Sequence, residues 1–431
     1  MVLFLPLQCC RVRRPLMLPL FQLTQMELER FRRGPLSPHF DSFASWLSQQ
    51  GYSHESGMRK IRLISLLSCW LEQRKIRVRQ LDELQIAAFL KAQRNPLRRH
   101  HQVRHTLGQL LQHLRRSKII PNRPPTQAVG PAEHLIHDYR RFLTEERGLC
   151  QTTLANYVPV ALRFLSNAFR AKALHLAKLT AADINGFILR ERTAFSPKRV
   201  QLTTSALRSF MGFLYLRGQL ATPLAAAVPT VATWRFSEIP QFLEPEQVQK
   251  MLRSCDQSSA CGRRDYAVLL FLARLGLRAG EVVHLCLEDI DWNAGAVLVR
   301  GKSARQDRLP LPSDVGCALA AYLQEGRPFC ATRCVFVRMK APHEGFSSSV
   351  AVCDIVRRAL LRAGLQPERK GAHLLRHSLA TQMLRRGATM TQIGQILRHQ
   401  SPQTTEIYAK VDLAALQAIA QPWPGDVRCP R

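Results

Sequence analysis

No two cysteines in this sequence stand two residues apart, and no histidine opens the H-E-x-x-H pattern of a zinc-binding helix. The 12 cysteines are scattered, with Cys9–Cys10 and Cys330–Cys334 the closest spacings. That excludes the paired signatures of zinc modules and small disulfide frameworks, and leaves reduced thiols in a reducing compartment. Uninterrupted apolar runs of membrane-spanning length are also missing. The opening stretch MVLFLPLQCCRVRRPLMLPLF is broken by Arg11, Arg13 and Arg14, so it is too charged to cross a bilayer. It lacks the basic residues that precede the apolar run of a secretory signal. We therefore expect no membrane association, a cytoplasmic location, and a poorly ordered extension over residues 1–38, in which Met26 offers an alternative start.

Acidic side chains are scarce. Asp and Glu total 31 against 62 Lys and Arg, a net charge of +31. The basic residues run along the whole chain instead of collecting in a tail, so folded surfaces carry the charge. Such a field attracts polyanions, and nucleic acid is the first candidate. An apolar content of 46% over 431 residues is enough for two or three domains with real cores.

Two stretches before residue 230 resemble each other. In the first, WLSQQGYSHESGMRKIRLISLLSCWL leads to LDELQIAAFLKAQ and TLGQLLQHLRRSKIIP. In the second, FLTEERGLCQTTLANYVPVALRFLSNAF leads to LTAADINGFILRE and ALRSFMGFLYLRGQLATP. Leu81, Ile86 and Phe89 align with Leu179, Ile184 and Phe187. Leu107, Leu110, Leu111 and Leu114 align with Leu207, Phe210, Met211 and Leu214. Helical periodicity with polar or Pro/Gly breaks runs through both, which reads as a duplicated helical unit over 39–120 and 132–225. PNRPPTQAVGP, residues 121–131, is a linker by composition. After a second break the pattern changes. RRDYAVLLFLARLGL predicts a buried helix, and AGAVLVRGKSARQDRLPLP a β-hairpin turning at Gly301. Helices are expected at 313–325, 349–363, 373–386, 389–398, 401–409 and 412–420. The fold class is mainly α with a small β-hairpin.

Gly301-Lys302-Ser303 does not complete a phosphate-cradling loop, because Gly295 lies one position too far away. An ATPase is excluded, and Lys302 stands near a hairpin tip. In LGLRAGEVVHL, Arg278 falls where the buried helix ends, with Glu281 one turn on. In GAHLLRHSLATQMLRRG, His373 and Arg376 share a helix face, with His377 one turn from His373. No carboxylate joins them as a metal site requires, whereas arginine offers paired donors to phosphate oxygens. ILRHQSPQTTEIYAKV adds His399 and Tyr408.

In chain order Arg278, Lys302, His373, Arg376, His399 and Tyr408 resemble the signature of the tyrosine recombinases, the phage integrase family. Its pattern is an Arg with an acidic residue three positions on, a hairpin Lys, H-x-x-R-H, and L-G-H-x-S-x-x-T-T-x-x-Y. Arg398 stands where the family usually has glycine, and Gln400-Ser401-Pro402 varies the residues after the histidine. The resemblance is strong over 240–420, which implies a mixed α+β integrase catalytic domain. It is weaker over 132–225, implying the SAM-like core-binding domain; 39–120 would be an added copy and 421–431 a tail.

The resemblance implies an ATP- and metal-independent enzyme that needs no cofactor. Tyr408 would attack a DNA phosphodiester and form a 3′-phosphotyrosyl bond. Arg278 and Arg376 would clamp the non-bridging oxygens and His399 would donate to the phosphate. Lys302 would be the general acid for the 5′-oxygen, His373 the proton acceptor near Tyr408, and Glu281 an orienting carboxylate. Double-stranded DNA held in a C-shaped clamp, a homotetrameric synapse, partner recombinases and a trans-docked helix at 412–420 belong to the same picture. The expected role is integration or transposition of a mobile element. The alternatives are a non-catalytic DNA-binding relative and a type IB topoisomerase.

Overall fold

The computed structural model describes residue 31 and residues 33–92, 100–122, 131–169, 175–232, 239–301, 305–411, 416–417 and 420. Lys302, residues 1–30, the tail 421–431 and most of the helix expected at 412–420 lie outside them. The described residues form two compact units. One holds those up to Pro121 together with those after Glu238, and the other those between Asn122 and Ser237.

In the first unit, the N-terminal segment is helical throughout: α1 Phe40–Gln49, α2 His54–Gln73, α3 Glu83–Ala92 and α4 His100–Arg116. The Ser53 hydroxyl starts α2 by accepting the Ser56 N–H. Phe43, Leu47, Ile61, Leu67, Phe89, Leu107 and Leu114 fill its core. The second unit comprises α5 Pro131–Arg141, α6 Gln151–Phe169, α7 Ala181–Ala194 and α8 Pro197–Leu216. Thr180 and Asp183 cap α7 reciprocally, and Pro197 takes the first position of α8, where a missing N–H costs nothing. Tyr139, Phe164, Phe187, Phe210 and Phe213 make its core.

After residue 240 the first unit continues with α9 Pro245–Arg253, α10 Ala260–Leu275 and α11 Ala279–Val283. A three-stranded antiparallel sheet follows, β1 Ile290–Asp291, β2 Ala296–Arg300 and β3 Gln306–Pro310, in the order β1-β2-β3. The expected hairpin is β2–β3, in register from Ala296↔Pro310 to Arg300↔Gln306. β1 was not expected, because two residues are too short to show alternation. It pairs Ile290 with Val297. The remaining helices are α12 Ser313–Ala321, α13 Ser349–Arg362, α14 Ala372–Arg385 and α15 Met390–Ile396. α10 is buried nearly all round, as its composition predicts, and centres the core with Phe271, Leu272, Phe336 and Leu360.

One expectation is corrected. The stretch 401–409 is not an α-helix but two 3-10 turns, Pro402–Thr404 and Glu406–Val411. Pro402 lacks a backbone N–H and the β-branched pair Thr404-Thr405 disfavours α-helix, so the chain keeps only i→i+3 bonds. Among the described residues, no helix is long and apolar enough to cross a membrane.

Candidate active site

α10 ends at Gly276, whose φ of +57° suits glycine. A Cβ there would lie 2.7 Å from Leu397 Cδ2, so the close approach of two chain segments needs the missing side chain. Two residues on, Arg278 caps α11. Its N–H donates to Glu281 Oε2 at 2.8 Å and its guanidinium to Oε1 at 2.7 Å. The carboxylate suits the first turn of a helix, where backbone N–H groups point outward.

α14 carries Arg376 inward, only 3% exposed. Its guanidinium donates to the carbonyls of Gly276 and Leu397, tying the end of α10 to the end of α15. Burial pushes Arg376 down to about 10, and Arg278 and Arg398 nearby push the same way. α15 closes in a Schellman motif: Arg398 N–H donates to Gln395 O and His399 N–H to Gly394 O. The motif turns the chain so that His399 enters the site. His399 Nδ1 lies 2.7 Å from Thr405 Oγ1, and Thr405 is 1% exposed. Burial, then the charges of Arg376 and Arg278, lower His399 to about 4.

Tyr408 sits in the last 3-10 turn and is 1% exposed, packed among Ala380, Ile393 and Leu397. Its hydroxyl is 2.9 Å from His377 Nδ1. The His377 ring meets the tyrosine edge-on, and the His399 ring lies parallel to it at 6.4 Å. Burial raises the hydroxyl to about 12, against the pull of Arg376 and Arg278. Burial, His373 and Arg376 lower His377 to about 4.

The fold therefore brings Arg278, Arg376, His399 and Tyr408 together, with Glu281 beneath them. Lys302 lies beyond the described end of β2, where Gly301 N–H donates to Arg305 O. His373 is exposed and stacks on His377 at 6.2 Å; the hydrogen-bond distance to Tyr408 belongs to His377. Sequence reasoning named His377 without giving it a role, and passed over Thr405 and the burial of the tyrosine. The four-residue spacing of His373 and His377 was the available signal, since it puts both rings on one face.

Such a constellation can bind a phosphodiester with two guanidiniums and an imidazole. It also holds a tyrosine hydroxyl, a group that can act as a nucleophile once uncovered. No group of metal-ligating side chains occurs among the described residues.

Comparison with known proteins gives matches of the same kind. Residues 241–414 match the profile described as the phage integrase family, and residues 136–218 that of the phage integrase N-terminal SAM-like domain. A Sinorhizobium fredii protein named as an integrase/recombinase, y4rA, is 41% identical over 404 residues, 93% of this chain and 98% of its own. Tyrosine recombinase XerC of Oceanobacillus iheyensis is 30% identical over 65% of this chain and 92% of its own. Among solved structures, XerH recombinase in its post-cleavage complex with a palindromic difH substrate has a TM-score of 0.53 at 19% identity. That match covers 68% of this chain and 97% of XerH.

Proposed function

The chain belongs to the phage integrase family of tyrosine recombinases, and from that premise we propose the role of each residue in its site. The reaction is the family's: DNA is cut and rejoined through a covalent phosphotyrosine intermediate. The observation that carries the assignment is that Arg278, Arg376 and His399 gather at the turn beside Tyr408: Arg376 bonds the Leu397 carbonyl, Arg278 the Arg398 carbonyl, and the His399 ring lies 6.4 Å from the tyrosine ring.

Arg278 and Arg376 hold the non-bridging oxygens of the scissile phosphate. Their charge matters most in the five-coordinate transition state, where those oxygens carry more negative charge than in the diester; each such donor contributes about 3 kcal/mol. Arg376 needs little reorganisation, because two backbone carbonyls already fix its guanidinium. We assign Thr405 Oγ1 as the donor to His399 Nδ1, the tautomer that keeps the ring proton on Nε2, available to the phosphate. Tyr408 Oη forms a bond to phosphorus as the bond to the 5′-oxygen breaks. His373 takes the tyrosine proton and Lys302 gives one to the leaving oxygen. A 5′-hydroxyl attacking the phosphotyrosine reverses the step. One ester replaces another, so no ATP is consumed.

At 1% exposure, Tyr408 cannot reach a phosphate from where it sits. The segment carrying it must move when DNA binds, which breaks the His377 contact. Burial thus keeps the nucleophile out of use until substrate arrives, and His377 satisfies the hydroxyl meanwhile.

Strand exchange between two duplexes cuts four strands, one tyrosine each, which calls for a tetramer on DNA. The helical units belong to the same proposal, as a duplication that lengthens a clamp on duplex DNA. Its support is a shared order of helices, each with a 3-10 turn before the third, Val78–Gln80 and Leu176–Lys178. The aligned apolar residues are buried in both, from Leu81 and Leu179 to Leu114 and Leu214. Mobile-element integration is the biological role we favour, and the N-terminal unit, outside both profile matches, is the part to examine for it.

The test is a covalent adduct on nicked duplex DNA from the regions flanking the gene. Wild type should form it and Tyr408→Phe should not. An adduct that survives the substitution moves the nucleophile elsewhere, and binding without any adduct supports the non-catalytic alternative.

A further inference from the structure

The turn after α15 contains an arginine at a position that favours glycine. Arg398 has φ +57° and is the left-handed residue of the Schellman motif. Any side chain with a Cβ is strained in that conformation. The side chain is also a guanidinium, only 3% exposed, in a region with two other arginines. Strain, desolvation and like-charge repulsion all oppose it, so something must offset them.

The offset is Glu281. Arg398 Nη2 donates to Glu281 Oε2 at 2.8 Å, the same oxygen that accepts the Arg278 N–H. Arg398 Nη1 donates to the Ile396 carbonyl at 3.2 Å, and the Arg398 carbonyl accepts from Arg278 Nη2 at 3.3 Å. Arg398 thus holds Arg278 from two sides, through the carboxylate and through its own backbone. Burial pushes the Glu281 carboxyl up, but Arg398 beside it and the Arg278 donors outweigh that and hold it below the usual carboxylate range.

We propose that Arg398 is a positioning residue that shares the Glu281 carboxylate with Arg278 and thereby keeps the charge of Arg278 available to the scissile phosphate. The proposal rests on the recombinase reading above. With Glu281 alone, Arg278 would be one half of a neutral ion pair, and its field at a phosphate would be weaker. With Arg398 the group carries two cations on one anion. The exposures fit the division of labour: the Arg278 side chain is 36% exposed and reaches the open site, whereas Arg398 is sealed and cannot touch substrate. A glycine would relax the turn and still permit the backbone bonds, but would leave Glu281 to Arg278 alone.

The experiment uses the full-length protein and a nicked duplex carrying the site at which wild type forms its Tyr408 adduct. The scissile linkage is made either as the natural phosphodiester or as a methylphosphonate, which lacks the negative charge. Arg398→Gly should slow single-turnover adduct formation on the phosphodiester by about ten- to a hundredfold, with DNA binding little changed. On the neutral methylphosphonate the wild-type to variant ratio should fall to within about threefold, because there is no phosphate charge left to stabilise. Arg398→Lys keeps the charge and should recover part of the rate on the phosphodiester. It also carries the test if the glycine variant melts below the assay temperature. An equal slowing on both linkages, no slowing on the phosphodiester, or a lysine variant as slow as glycine overturns the proposal. Absence of any wild-type adduct, or an adduct that survives Tyr408→Phe, is a separate result: it removes the recombinase assignment of Tyr408 itself.

Discussion

His377→Leu is the perturbation that best separates the resting contact from the chemistry. The leucine roughly fills the imidazole volume but leaves the Tyr408 hydroxyl buried without its partner at 2.9 Å. An unsatisfied buried hydroxyl costs about 1–3 kcal/mol. That cost falls on the closed arrangement alone, because an exposed tyrosine bonds to water. The population with Tyr408 exposed should therefore rise by about 5- to 150-fold. Nitration of the DNA-free protein by tetranitromethane, read by peptide mapping, measures this directly: Tyr408 should be protected in wild type and modified in His377→Leu.

The same variant, set beside His373→Ala, then addresses the proton. If His373 accepts the tyrosine proton during attack, His373→Ala should slow adduct formation by about 10²–10⁴-fold. His377→Leu should form adduct at least as fast as wild type, since the hydrogen bond it removes from Tyr408 is one that must break anyway, and leucine keeps an apolar side chain under the His373 ring. The reverse pattern, with His377→Leu inactive and His373→Ala near wild type, would refute the reasoning. It would make His377 the base and the buried geometry the reactive one.

Three further outcomes are expected. Gly276→Ala places a methyl 2.7 Å from Leu397 Cδ2 at a left-handed residue and should destabilise the protein by about 1–3 kcal/mol, read by denaturant unfolding. Thr405→Val keeps the shape and removes the partner of His399 Nδ1. It should slow adduct formation by about tenfold or more with little change in melting temperature. His377 and His399 both titrate near 4 when folded, below the unfolded value of 6.5. The unfolded chain then binds more protons between those values, so the melting temperature should fall as pH drops from 6.5 toward 4, and these two groups should add nothing below that window. His377→Leu should flatten part of the slope.

What the sequence disclosed about the site was order and type. Arg278, Arg376, His399 and Tyr408 are separated by long stretches of chain, and only a pattern covering all of them suggests a common purpose. The fold explains why they meet: α10 and α15 end against each other, and Arg376 bonds to the last carbonyls of both. Helical periodicity was legible because α10 and the N-terminal helices bury continuous apolar faces. Depth was not. Tyr408 reads as a residue of a short polar segment, and nothing in EIYAKV indicates that its ring lies under Ala380 and Leu397. Arg398 was legible only as a departure from glycine, because its partner Glu281 is far away along the chain. Side chains whose role depends on a distant partner lose that information in a linear pattern, whereas a capping pair such as Arg278 and Glu281 keeps it.

The electrostatics of the site also bear on how the tyrosine becomes reactive. A hydroxyl held at about 12 is ionised in only about one molecule in 10⁵ at pH 7. Arg376 and Arg278 favour the tyrosinate, but a bound diester carries the same sign of charge as a tyrosinate and competes for the same guanidiniums. Substrate therefore weakens the help those arginines give to ionisation, and the proton has to pass to a base. The same negative charge acts oppositely on the imidazoles. His377 and His399 are kept near 4 by burial and by neighbouring cations, and a phosphate placed among those cations relieves the repulsion. On the proposed roles, DNA binding makes the tyrosine harder to ionise by field and raises the proton affinity of His377 and His399, while His373 remains the base that takes the tyrosine proton. Coupling the two through one phosphate confines attack to the occupied site, which is the same restraint that the burial of Tyr408 imposes by geometry.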